Sequence, residues 1–201
     1  MKLHYAWNSP YVHKVMLVAH ECGLVDELEL LPTTPQSVIE DLRADNPLAQ
    51  IPVLITDDGT ILYDSLVIME YLDHLGSGGL LPPAGAARWV VLRNHATGQG
   101  IIDAINVRVN ELRRPAGEQS PGWIVKKENE AGRALDVLDA GAGDLGQEAD
   151  FGTLTVGCAL AYADRRWPES NWRDGRPALA AWFERFSARP SMRDTRPAPE
   201  Q

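Results

Sequence analysis

The feature that most constrains this chain is a change of pattern at Gly76-Ser77-Gly78-Gly79-Leu80-Leu81-Pro82-Pro83. Before that run, short strand-like and helix-like stretches alternate; after it, every long stretch carries helical spacing. A segment so rich in Gly and Pro favours neither helix nor strand and reads as an interdomain linker. With 201 residues, 44% of them hydrophobic, the chain can build two modest cores. The expectation is an α/β domain over residues 1–77 and an all-α domain over residues 84–201.

Residues 2–7, Lys-Leu-His-Tyr-Ala-Trp, alternate polar and apolar as a half-buried strand does, and Asn8-Ser9-Pro10 breaks the pattern. Tyr11, Val15, Leu17, Val18 and Cys22 then recur at helical spacing, with Pro10 suited to the first helical position and Gly23 to the end. Glu27-Leu28-Glu29-Leu30-Leu31 reads as a second strand, stopped by Pro32; reached through a helix, it predicts a right-handed parallel βαβ unit. A polar, helix-leaning stretch from Gln36 to Ala44 ends at the Asn46-Pro47 break. Val53-Leu54-Ile55-Thr56 and Thr60-Ile61-Leu62-Tyr63 flank Asp57-Asp58-Gly59, a hairpin signal. Leu66, Ile68, Met69 and Leu72 give a short amphipathic helix. The order βαβαββα is that of a thioredoxin-like domain. Beyond the linker, helices are expected over roughly 86–113, 121–140, 153–166 and 177–188, with Pro115, Pro121, Pro168 and Pro190 confined to breaks, which describes an all-α helical-bundle domain.

Composition narrows the partners. Against 28 acidic side chains stand 19 basic ones, and the formal charge of −9 opposes nucleic acid and anionic membrane surfaces. An anionic ligand would need locally placed donors. No window reaches the ~18 apolar residues of a membrane span, and MKLHYAWNSP lacks the apolar run of a secretory signal. Cys22 and Cys158 lie far apart, without the spacing of a redox pair or zinc site. Free thiols in a reducing cytoplasm and no metal are expected.

Three segments make a family likeness specific: Ser9-Pro10-Tyr11-Val12-His13-Lys14, Asn46-Pro47-Leu48-Ala49-Gln50-Ile51-Pro52-Val53-Leu54, and Tyr63-Asp64-Ser65-Leu66 continuing to Leu72. In order and separation they resemble the bacterial cytosolic glutathione S-transferases. Pro177 to Phe183 and Arg189-Pro190-Ser191-Met192 look like that family's closing helix and tail. The likeness is weakest over residues 84–150, apart from Gly100-Ile101-Ile102-Asp103-Ala104.

The resemblance implies a binding cradle for glutathione as co-substrate. Ile51-Pro52 is similar to the family's cis-proline junction, where Ile51 would pair with the cysteinyl backbone by strand addition; an ordinary trans Pro opening a strand is the alternative. Gln50 would reach the glycine end. Asp64 and Ser65 stand where the family holds the γ-glutamyl ammonium and carboxylate, although both residue types are also good helix caps. Ser9 would donate its hydroxyl to the glutathione sulfur at a helix N-terminus, both effects favouring thiolate, with plain capping the alternative. Tyr5, Asn8 and Tyr11 are other residues near enough in sequence to meet the sulfur, and no cysteine occupies this loop. His13 receives no role.

In the second domain, Asp150 and Thr153 suggest a capping box. Arg108, Arg113 and Arg114 form either a solvated face or a contact with a partner subunit, since the family is generally homodimeric. The function implied is a glutathione transferase that attacks a small hydrophobic electrophile held between the domains. A glutathione-dependent disulfide or peroxide reductase, or a non-catalytic glutathione- or partner-binding protein, would use the same cradle.

Overall fold

The computed structural model describes residues 1–33 and 39–197; the expected helical start over 36–38 lies outside the described residues. The chain separates into two units, Met1–Pro83 with the tail from Pro190, and Ala84–Arg189.

The first unit is built on a four-stranded sheet in the order β2-β1-β3-β4. Strand β1 (Lys2–Tyr5) pairs in parallel with β2 (Glu29–Pro32) and antiparallel with β3 (Val53–Ile55), and β3 pairs antiparallel with β4 (Ile61–Leu62). Leu3 faces Leu30 on one side and Leu54 on the other, so the central row of the sheet is aliphatic. Strand β1 stops two residues short of the alternating pattern because Ala6 C=O accepts the N–H of Ser9 at 3.1 Å and turns the chain. Pro32, expected to stop β2, lies inside it opposite Tyr5. An edge strand tolerates a residue without an N–H, and Thr33 supplies the next bond, to Tyr5 C=O at 2.8 Å.

Helix α1 (Pro10–Glu21) is buried along almost its whole length, and α2 (Ile39–Asp45) and α3 (Ser65–Gly76) complete the βαβαββα order. The Gly/Pro-rich linker is pinned to α3. Leu80 and Leu81 are buried, and their N–H groups donate to the two oxygens of Asp73 at 2.8 and 3.1 Å. Gly78 passes so close that an added Cβ would lie 2.7 Å from Cys22 Sγ.

The tail, placed in the helical domain by sequence pattern, groups instead with the first unit. A five-residue helix α8 (Pro190–Asp194) brings Ser191 Oγ to Glu21 and Thr195 Oγ1 to within 3.1 Å of His13 Nε2. His13, given no role above, thus anchors the tail to α1.

In the second unit, α4 (Ala86–Leu112), α5 (Pro121–Ala140), α6 (Phe151–Arg166) and α7 (Pro177–Phe186) match the expected helices to within a few residues. Helix α6 is the centre. Small residues on several of its sides let neighbours approach, and Gly98 of α4 sits where a Cβ would lie 2.9 Å from the Thr155 backbone. Arg108 does not await a partner subunit: it is buried, its Nε donates to Glu128 at 2.7 Å, an Nη bonds Glu169, and the guanidinium lies 5.3 Å from the Trp167 ring centre. None of the described helices is long and apolar enough to cross a membrane.

Candidate functional site

Strand direction alone gathers the residues singled out above. The C-terminal end of β1 leads to Ser9; β3, antiparallel to it, begins just after Ile51-Pro52; β4, antiparallel to β3, ends just before Asp64-Ser65. All three segments therefore emerge at one end of the sheet, and the N-termini of α1 and α3 lie at that same end. The segments are distant in sequence; the antiparallel register makes them neighbours.

At α1, Ser9 is the N-cap, with extended backbone, and its Oγ accepts from Val12 N–H at 3.3 Å. A hydroxyl has one donor and two acceptor sites. Capping uses one acceptor, and among the described residues nothing receives the Ser9 proton. The cap and a sulfur contact are thus compatible at the same atom.

At β3, the Ile51–Pro52 peptide is cis. Among the described residues, neither the N–H nor the C=O of Ile51 takes part in a backbone hydrogen bond. Half-buried backbone groups without partners are uncommon and ask for a ligand or water. The turn before them is held by Asn46, which is buried: its Nδ2 donates to Gln50 C=O at 2.8 Å and its Oδ1 accepts from Leu48 N–H at 3.0 Å. Asn before Pro is a turn-former that bonds its own loop, so the Asn46-Pro47 pair carries the sequence signal for this role as well as for the break. Gln50 is exposed, its side chain unconstrained by any bond among the described residues.

At α3, Asp64 rather than Ser65 is the N-cap, accepting from Leu66 N–H at 3.1 Å, and the Tyr63–Asp64 peptide is cis. Ser65 is only 3% exposed, yet among the described residues its hydroxyl has no hydrogen-bond partner. Ile68 N–H returns to Asp64 C=O, which leaves the N–H groups of Ser65 and Val67 open at the positive end of the helix.

Two titratable groups of the first unit, Tyr5 on β1 and Cys22 at the opposite end of α1 from Ser9, stay protonated. Burial holds the Tyr5 phenol well above its usual range, so it stays protonated. Burial, then the charges of Asp73 and Glu21, push the Cys22 thiol up to about 11, which leaves it no thiolate at neutral pH. Among the described residues there is no group of three or more potential metal ligands. The end of the sheet thus offers an unpaired strand-like backbone, a carboxylate with an adjacent free hydroxyl, open helix N–H groups and a spare O–H. That set is complementary to an extended short peptide with an acidic terminus and a polarisable group.

Comparison with known proteins gives the family. Residues 8–75 match the family description "Glutathione S-transferase, N-terminal domain" and residues 121–185 match "Glutathione S-transferase, C-terminal domain". The uncharacterized GST-like protein YibF of Escherichia coli K12 is 30% identical over 201 residues, 98% of each chain. A crystal structure of a glutathione transferase family member from Pseudomonas fluorescens Pf-5 with bound glutathione superposes with a TM-score of 0.94 at 39% identity, covering 98% of this chain and 99% of that one. A second structure from that organism, with bound S-(propanoic acid)-glutathione, gives 0.91 at 39% identity over 99% and 100% of the two chains.

Proposed function

Because the chain belongs to the glutathione S-transferase family, we propose that it binds glutathione across this end of the sheet and activates its thiol for attack on a small hydrophobic electrophile. The observation that carries the proposal is the set of unengaged groups gathered there: the Ile51 backbone, the Ser65 hydroxyl and the Ser9 proton. Ile51 pairs with the cysteinyl backbone of glutathione as an added strand. Ser65 and the open N–H groups of α3 take the γ-glutamyl carboxylate, Asp64 takes its ammonium, and Gln50 reaches the glycine end.

Ser9 then donates to the sulfur. An ordinary thiol has a pKa of about 8.5, and one unit of lowering corresponds to roughly 1.4 kcal/mol of preferential thiolate stabilisation. One hydrogen bond together with the N-terminal dipole of α1 supplies that order of energy. The thiol proton passes to solvent, and the thiolate forms the carbon–sulfur bond as the electrophile's carbon–halogen, epoxide carbon–oxygen or conjugated π bond breaks and its electron pair leaves on halide, alkoxide or enolate; the protein contributes orientation and charge stabilisation. The glutathione conjugate held by the Pseudomonas structure supports addition to a carbon centre.

A homodimer is the expected assembly. On α4 the exposed Trp89, at 67%, and Val90 beside it are suited to burial against a second copy.

The test is calorimetric titration of glutathione into the full chain, followed by turnover of halogenated aromatics, epoxides and mixed disulfides. Binding with turnover of the aromatics or epoxides supports the transferase. Turnover of mixed disulfides alone replaces it with a reductase, binding without turnover replaces it with a non-catalytic binder, and no binding at millimolar glutathione removes all three.

A further inference from the structure

The first unit contains a cavity of about 530 Å³ that the glutathione reading does not use. It lies on the β2 side of the sheet, bounded by β1, β2, the second half of α1, the 3₁₀ turn Val25–Glu27 and the tail. The cradle lies instead where β3 begins, β4 ends and α3 starts, and none of Ser9, Ile51, Asp64 and Ser65 lines the cavity.

The lining has a definite chemistry. Met16, Val25 and Leu30 supply apolar walls, and Tyr5 and Trp7 meet edge to face, ring centres 5.3 Å apart at 84°. Two carboxylates belong to the same lining. Asp194 lies 3.2 Å from His20 Nε2, whereas Asp26 has no ion-pair or hydrogen-bond partner among the described residues. Tyr5 is more than nine-tenths buried, and its hydroxyl likewise has no hydrogen-bond partner among the described residues. Its phenol remains neutral, so it can offer an acceptor lone pair to a cationic head group.

The volume falls in the range of small-molecule sites, roughly 300–1,000 Å³. Aromatic faces and carboxylates together attract a cation and repel an anion. The geometry points to a second ligand site, specific for an apolar organic cation such as an arylalkylammonium, its ring between the aliphatic wall and Trp7 and its charge towards Asp26. This site stands independently of the glutathione reading.

The test titrates the full chain with biphenylmethylammonium, with its neutral isostere biphenylmethanol and with biphenylcarboxylate, by calorimetry, each with and without saturating glutathione. The cation is expected to bind about tenfold more tightly than the alcohol, and the carboxylate more weakly than either. Asp26→Asn should weaken the cation about fivefold and leave the alcohol unchanged. Leu30→Lys, which fills the cavity and adds a like charge, should weaken it by about tenfold or more. Both positions are exposed, so melting temperature and glutathione binding should stay at wild-type values. The proposal is overturned if the three probes bind alike, if none binds at millimolar concentration, if glutathione displaces the cation, or if neither substitution changes its affinity.

Discussion

Helices α3 and α6 begin with the same residue type and end in opposite situations. Each has an Asp N-cap followed within three residues by an apolar run: Asp64 before Ser65-Leu66-Val67, and Asp150 before Phe151-Gly152-Thr153. At α6 the cap is reciprocal and its hydroxyl is engaged. Asp150 accepts from Thr153 N–H at 2.7 Å, Thr153 Oγ1 accepts from Asp150 N–H at 2.9 Å, and the same hydroxyl lies 2.9 Å from Glu148 C=O. At α3 the cap is made by Asp64 alone, and the Ser65 hydroxyl is left over among the described residues. A capping box that satisfies itself is structural; a cap with an unengaged neighbour has capacity for a ligand. The two helix starts differ in which donors and acceptors remain, more than in composition.

Substitutions can break that contrast. The largest effect is expected from the double variant Asp64→Ala with Ser65→Ala, which removes charge-assisted contacts at both the ammonium and the carboxylate. At roughly 1.5–3 kcal/mol for a bond to a charged group, glutathione affinity should fall about a hundredfold, read by calorimetry. Thr153→Ala should do the reverse: a loss of about 1–2 kcal/mol of stability in denaturant titration from the broken capping box and its buried hydroxyl, with unchanged glutathione affinity. If Ser65→Ala destabilised the fold as much as Thr153→Ala, the distinction would collapse.

Ser9 lies between these cases, since one hydroxyl caps α1 and still has a proton to give. Ser9→Ala should raise the pKa of bound glutathione by about one unit, seen as the thiolate absorbance band shifting to higher pH, and cost about 1 kcal/mol of stability. Ser9→Asp separates the roles: the carboxylate restores the cap but cannot donate, so stability should recover while the thiolate does not.

The smallest effect concerns pH. Burial is the main influence on Asp150 and raises its pKa, while bonds from Thr153 and Gly152 oppose it. A carboxyl whose folded pKa is raised above the unfolded value contributes stability below the unfolded pKa, and that contribution is lost as pH rises through the folded pKa. Asp150→Asn, which keeps the cap acceptor, should therefore remove a small decline in stability between acid and neutral pH, measured by denaturant titration across that range.

Much of this was legible in the sequence. Local periodicity placed the four long helices of the second unit and the βαβαββα order of the first, because each element carries its own apolar spacing and its own Pro or Gly boundary. The segments of the candidate site were legible as segments. Their convergence was not, since it follows from the antiparallel placement of β3 against β1, a long-range pairing that no local window encodes. Nor could the sequence say which residue caps α3. Asp64 and Ser65 are both good caps, and only the backbone shows that Asp64 has the position. His13 and Arg108 were misjudged for the same reason. Polar by type, they are buried through partners far along the chain, Thr195 for one and Glu128 and Glu169 for the other.

The most direct measurement is glutathione titration of the wild-type chain beside Ser65→Ala, by calorimetry, with thermal melting of both. Saturable binding by the wild type, weakened about tenfold in Ser65→Ala at an unchanged melting temperature, is the predicted result. Equal affinity in the two chains, or no heat from either at millimolar glutathione, would contradict it.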